Sequence, residues 1–303
     1  MNKKATLNIQ ENREIGQILN ATFVFIGITF KALFRDILII AGPFYVLAGI
    51  FSSLSTYNSL RLISTFGTSG GAFSQFQVLS PAYWLDLLCL LIGFSLSTCI
   101  IANHVLMYKT NGPEYNKEEA LRYIRGDIMR VTLANFLNVL VVIVATIFFI
   151  IPGIYLIVAN SLITTIIVLD KQTGTMDAFG ESRRLIRDNW WAALGLGLIV
   201  GIITLCVQLI FKIPSSILTT VITFNTLRNG EDIGSYKTLF IVFNAIAYLG
   251  TALVSPISVV ASSIFYYSLK EKKDHTSLMQ NIESIGVQPA RTETDIQKDE
   301  GDF

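Results

Sequence analysis

Apolar residues run through this chain in long blocks, separated by short polar segments. The longest block, Val131–Leu169, is 39 residues without an Asp, Glu, Lys, Arg or His. Pro152-Gly153 interrupts it near its centre. A bilayer core ~30 Å thick is crossed by about 20 helical residues. Two arms of roughly 18 residues reach about 27 Å each, so the block predicts a hairpin crossing a membrane twice. Proline cannot continue a helix interior without a break, and Pro-Gly is a strong turn signal. One kinked helix of this length would overshoot the bilayer by about a factor of two. A re-entrant hairpin that returns to its own side stays open, because both flanks are basic either way.

The other apolar blocks predict spans over 37–54, 81–108, 191–211 and 238–267, beside the hairpin arms at 132–151 and 153–169. Gly42-Pro43 marks a kink in the first span, and Ser80-Pro81 reads as an N-cap followed by proline at the first helical position. Loops are expected over 55–80 and 212–237. Between Glu11 and Phe34, the residues Ile15, Ile18, Leu19, Thr22, Phe23, Ile26, Phe30 and Leu33 recur at helical spacing. Beside a span, this predicts a helix lying in the membrane interface. Similar segments occur at 114–130 and 175–189. The expected fold is therefore an all-α membrane protein, with six transmembrane helices in three hairpins, each preceded by a cytoplasmic interfacial amphipathic helix. Residues 1–10 are expected to be disordered, 11–269 to form the membrane domain, and 270–303 to be a mobile cytoplasmic tail with a short helix at 277–285. The three units repeat in architecture, with few identities between them.

Charge sets the sidedness. Of 23 Lys and Arg, only Arg61, Lys212, Arg228 and Lys237 fall on one side of this topology; the other nineteen share the opposite side with both termini. The positive-inside rule places that richer side in the cytoplasm. A multi-pass protein of the cell (inner) membrane follows. The polar start MNKKATLNIQENREIGQ is too long for a signal peptide, so an uncleaved N-terminus is expected.

Composition narrows the function. Charged residues are 15% of the chain, against about 25% in soluble domains. No basic, aromatic-interleaved patch points to nucleic acid. Cys89, Cys99 and Cys206 lie in apolar stretches and read as packing residues. No metal-ligand spacing, cofactor motif, phosphate-binding loop or catalytic triad pattern is found, so an enzyme is the weakest class.

Several residues remain as candidates. Asn103 and His104 lie near the cytoplasmic end of span two, where an ionisable group serves either a substrate or proton role or a helix-end hydrogen bond. Asp86, near the outer start of that span, suits the helix dipole. Asn135, Asn138, Asn160, Gln208 and Asn244 are the deeper polar residues; they read as interhelical glue unless they converge on one cavity. Ala193, Gly197 and Gly201 form a small-residue stripe that predicts close helix packing, within the chain or with a second copy. Arg183, Arg184 and Arg187 cluster before span five and read as a topology signal or as a contact for anionic lipid. The partners expected are the bilayer, anionic lipid, and a membrane-protein partner or a second copy.

Two segments carry a family resemblance. They are Ile151-Pro152-Gly153-Ile154-Tyr155-Leu156, and Asp177-Ala178-Phe179 through Ser182-Arg183-Arg184-Leu185-Ile186 to Trp190-Trp191. Together they resemble the membrane domain found beside some glycerophosphodiester phosphodiesterases and its stand-alone bacterial relatives. The resemblance implies fold and membrane location. It does not imply the hydrolase activity, which belongs to a separate barrel of about 250 residues. Three functional classes remain: a non-catalytic scaffold or accessory subunit, which is favoured; a transporter or lipid-handling protein, which requires a polar intramembrane cavity; and a lipid-modifying enzyme, which requires clustered ionisable residues.

The charge asymmetry makes a direct prediction. Single cysteines placed at Ser69 and Asn229 in a cysteine-free background should react with an impermeant thiol reagent in intact cells. Cysteines at Asn116 and Thr173 should not, and their labelling from outside would overturn the assigned sidedness.

Overall fold

The computed structural model describes residues 8–9, 11–66, 77–112, 115, 122, 124–229 and 236–286. Among them there is no strand, and six helical stretches are long and apolar enough to cross a membrane: Ile15–Leu62, Pro81–Asn111, Ile124–Phe148, Ile150–Leu169, Thr175–Asn225 and Lys237–Lys273. The expected disorder at 1–7 and 10, and most of the 114–123 segment, lie outside the described residues. So do 67–76 of the first loop and 287–303 of the tail. Ile9, expected to be disordered, is instead buried in the core.

Helix α1 (Ile15–Asp36) starts at a capping box in which the backbone N–H of Glu14 donates to Gln17 Oε1 at 3.1 Å. Its buried face is Ile18, Ala21, Thr22, Phe25, Thr29, Ala32 and Leu33. A single π-helical turn, Ile37–Ala41, joins it to α2 (Gly42–Phe66). Helix α3 (Pro81–Asn111) starts at Pro81 as expected, but Ser80 makes no side-chain cap and its hydroxyl is buried without a partner. The helix stops at Gly112, whose φ of 72° suits glycine alone at little cost.

The long uncharged block folds differently from the simple two-arm expectation. Helix α4 (Ile124–Phe148) ends before Phe149, which is the extended turn residue at φ −153° and ψ 122°. Pro152 and Gly153 lie one turn inside α5 (Ile150–Ala159). There proline costs little, because a first-turn N–H has no intrahelical acceptor. Gly153 is needed for a different reason: a Cβ there would stand 3.0 Å from Thr146 Cα and closer still to the Thr146 hydroxyl. The hairpin arms touch backbone to backbone at this point.

Asn160–Leu162 separate α5 from α6 (Ile163–Leu169). Helix α7 (Thr175–Ile186) and a 3-10 turn (Arg187–Asn189) lead into α8 (Trp190–Asn229), and α9 (Lys237–Gly286) closes the chain.

Two expected loops and the tail need correction. Helix α2 runs on to Phe66 and α8 to Asn229, passing through Pro214, so most of the polar stretches at 55–66 and 212–229 are helical. Their Ser and Thr hydroxyls turn back onto their own helix: Ser59 to the Ser55 carbonyl, Thr219 to Ser215 and Thr223 to Thr219. This self-bonding lets hydroxyl-rich sequence remain helical despite its loop-like composition. A small apolar cluster of Leu60, Ile222 and Phe240 ties the three helix ends together. At the other end, α9 continues through the expected start of the tail to Gly286.

The main core lies towards one end of the molecule. It gathers α1, the second half of α3 from Leu96 to Tyr108, all of α6, the inner face of α7 and α9 from Val259 to Leu269. By contrast, α4 has no buried residue beyond Asn135.

Close helix approach occurs at Gly49, where a Cβ would fall 2.8 Å from Ala245 Cα. The expected stripe at Gly197 and Gly201 does not pack in this way, since nothing lies within 4 Å of a Cβ at either position. Gly49→Val should therefore lower stability by about 1–3 kcal/mol, the usual cost of overpacking, whereas Gly197→Leu should not clash. Thermal unfolding of both variants in detergent checks this contrast.

Candidate functional site

The break between α5 and α6 forms the first part of the site. Asn160 and Leu162 sit near ψ 0°, at 3° and −4°, and the helix resumes only at Ile163. Asparagine and serine favour such breaks because their side chains compete with the helix ladder for backbone partners. Helix α7 supplies the missing partners. The Ser182 hydroxyl donates to the Ala159 carbonyl at 2.8 Å and accepts from the Leu162 N–H at 3.4 Å. Asn160 Nδ2 donates to Asn138 Oδ1 at 2.9 Å, and Arg183 Nε donates to Asn160 Oδ1 at 3.2 Å.

Ser161 and Leu162 then line a cavity of about 190 Å³ between α8 and α9. Its α8 wall includes Ala193, Gly197 and Gly201; its α9 wall includes Ser258, Ser262 and Phe265. Small residues at every fourth position on α8, facing serines on α9, keep the two backbones from being bridged by side chains. The stripe read from the sequence as a packing surface is thus a cavity wall. From Ala193 to Gly201 the wall extends about 12 Å along α8. Trp190, one turn before the cavity, stacks on Tyr155 with ring centroids 6.1 Å apart.

The three arginines of α7 and the following turn are all exposed, but they are not equivalent. Arg184 is held by Glu181 through two bonds of 2.6 and 2.7 Å. Arg183 reaches inward to Asn160, and Arg187 stands at the start of the 3-10 turn.

The remaining deep polar residues do not meet in one place. Asn135 Nδ2 donates to the Ser95 hydroxyl at 2.9 Å, and Asn244 Nδ2 to the Ser53 hydroxyl at 3.0 Å. Gln208 is half-buried on α8. Asp86, read as a dipole partner, is buried and accepts from the Tyr248 hydroxyl on α9 at 3.2 Å.

A second polar centre lies around His104, in the main core. The ring is fully buried, with Nε2 3.2 Å from Asp36 Oδ2 and Nδ1 2.6 Å from the Tyr115 hydroxyl. Burial, and then the charge of Asp36, push the Tyr115 phenol above its ordinary range, so it keeps its proton. Its O–H donates to Nδ1, which leaves Nε2–H to donate to Asp36. Arg35 takes the other Asp36 oxygen, at 2.8 Å. Beside this set, Asn103 Nδ2 donates to Asp127 Oδ2 at 3.3 Å, and Lys171 pairs with the same carboxylate and with Asn103 Oδ1.

The sequence pointed to Asn103 and His104 but missed Asp36, Tyr115, Asp127 and Lys171. Asp36, Asp127 and Lys171 stand at the edge of an apolar block, where charge reads as a topology signal. No group of three or more His, Cys, Asp or Glu among the described residues forms a metal-binding cluster.

A buried donor left without its acceptor costs about 1–3 kcal/mol, and removing Asp36 leaves the buried His104 Nε2–H in that state. Asp36→Leu should therefore lower stability on that scale. Asp36→Leu with His104→Leu should lose less than the sum of the single changes, as measured by unfolding in detergent.

In comparison with known proteins, no curated protein and no solved structure matches this chain. Residues 122–269, which include every residue lining the cavity, are similar to a family described as a domain of unknown function, DUF7847.

Proposed function

We propose that this chain is a non-catalytic, multi-pass membrane protein that holds a phospholipid in the cavity beside the α5–α6 break. In this reading, three apolar hairpins, each preceded by an interfacial amphipathic segment, enter the bilayer of the cell membrane from the cytoplasmic face, where both termini lie. The nineteen Lys and Arg on that side support the placement. Stacked Tyr155 and Trp190 suit the membrane–water boundary. The resemblance to the membrane domain of glycerophosphodiester phosphodiesterases fits the same placement.

The observation that carries the reading is a broken helix opening onto a cavity, with an arginine at the break. Irregular backbone in a membrane protein is tolerated where it is buried in protein or lines a cavity, and broken helices of this kind commonly serve ligands. The cavity walls are apolar and hydroxyl-bearing, which suits an acyl chain and its ester end. Arg183, one residue from the cavity wall through Asn160, and Arg187 suit an anionic headgroup, since guanidinium donors match phosphate geometry. This favours the lipid-handling class over the scaffold favoured by the sequence.

Protein purified in mild detergent should carry phospholipid detectable by native mass spectrometry. Gly197→Leu with Gly201→Leu fills the cavity and should abolish retention. Arg183→Gln with Arg187→Gln should weaken anionic lipid selectively, by about fivefold per arginine at ~1 kcal/mol each, and less so at high salt. Equal retention by the parent and the cavity-filled variant would remove the proposal.

A further inference from the structure

The α4–α5 hairpin differs from the rest of the molecule at its tip. Ile147, Phe148, Phe149, Ile150 and Ile151 are 68–82% exposed, and all are large and apolar. The α2–α3 and α8–α9 hairpins end in polar sequence rich in Ser, Thr, Asn and Gly, as a loop emerging into water requires. From Val139 to Ala159 the only polar side chains are Thr146 and Tyr155, and Thr146 is bonded back to the Val142 carbonyl at 2.7 Å.

The turn itself is economical in free backbone groups. The Phe149 N–H donates to the Ala145 carbonyl at 2.9 Å, and the Gly153 N–H to the Phe149 carbonyl at 3.2 Å. Pro152 has no N–H to satisfy. A single extended residue connects two helices, which keeps unpaired backbone low where no water is available.

The depth of the tip follows from its base. Arg183 bonds Asn160, and Asn160 bonds Asn138, so the charged group fixes this level of the hairpin at the headgroup side. From Asn138 to Phe149 a helix rises about 16 Å, roughly half of a ~30 Å hydrocarbon core. The arm cannot reach the far surface from there. Beyond Asn135, α4 has no fully buried residue.

We infer that the α4–α5 hairpin is re-entrant: it dips into the cytoplasmic leaflet, ends near the bilayer midplane, and has lipid acyl chains as the partner of its Ile147–Ile151 tip. The inference rests on the membrane placement proposed above, but not on the lipid cavity. It leaves four full crossings and keeps both termini on one side.

The test uses the full chain in phospholipid vesicles, with Cys89, Cys99 and Cys206 replaced. A spin label is placed at Phe149→Cys, at Ile151→Cys as a second tip position, and at Asn229→Cys. Re-entrance predicts that both tip labels are relaxed by dissolved oxygen far more than by a water-soluble nickel chelate, with the order reversed at Asn229. Relaxation of both tip labels mainly by the chelate, with Asn229 behaving as expected, would sink the re-entrant hairpin alone. An Asn229 label relaxed mainly by oxygen would instead sink the membrane placement, and the hairpin reading with it.

Discussion

The contact between Asp36 and His104 joins the two ends of a core whose members are far apart in sequence. It ties the end of α1 to the end of α3, and Tyr115 brings in the segment beyond. Lys171 and Asp127 do the same for α4 and the residues after α6. A carboxylate taken out of water is tolerated only when it is paired and its remaining lone pairs are bonded. Each group therefore fixes the positions of the others, and the helices carrying them have little freedom at that end. The π-helical turn follows Asp36 directly, and it adds one residue to a turn where α1 passes into α2.

Away from this centre the closest packing is concentrated at a few points. Gly49 against Ala245 and Gly153 against Thr146 are points where two backbones nearly touch. Gly197 and Gly201 have the same composition and the opposite consequence. No neighbour closes on them, so the missing side chains leave space. Small residues allow close approach, but they do not cause it; the partner helix must be placed there by contacts made elsewhere.

The cavity and the hairpin share one element. Asn160 breaks the helix, receives Arg183, and holds Asn138 on the opposite arm. One side of this residue therefore shapes the cavity wall, and the other sets the base of the hairpin. Ser182 completes the arrangement by bonding the two backbone groups that the break leaves open. Helix α7 thus supports the break with one hydroxyl and one arginine at consecutive positions.

By itself, the sequence determined the helical class and the six long apolar stretches, because block length and the absence of charge are local properties. It also identified Asn103 and His104 as unusual. It did not determine where helices end, since Ser59, Thr219 and Thr223 satisfy their hydroxyls on their own helix and so defeat a composition-based loop assignment. Nor did it place the turn, because Pro152 reads the same at a break as in the first turn of a new helix. The partners of His104, the open face of Gly197 and Gly201, and the pairing of Asn160 with Arg183 were decided by tertiary structure alone. Each depends on which helix lies opposite, and helical periodicity gives the direction of a side chain without naming what it meets.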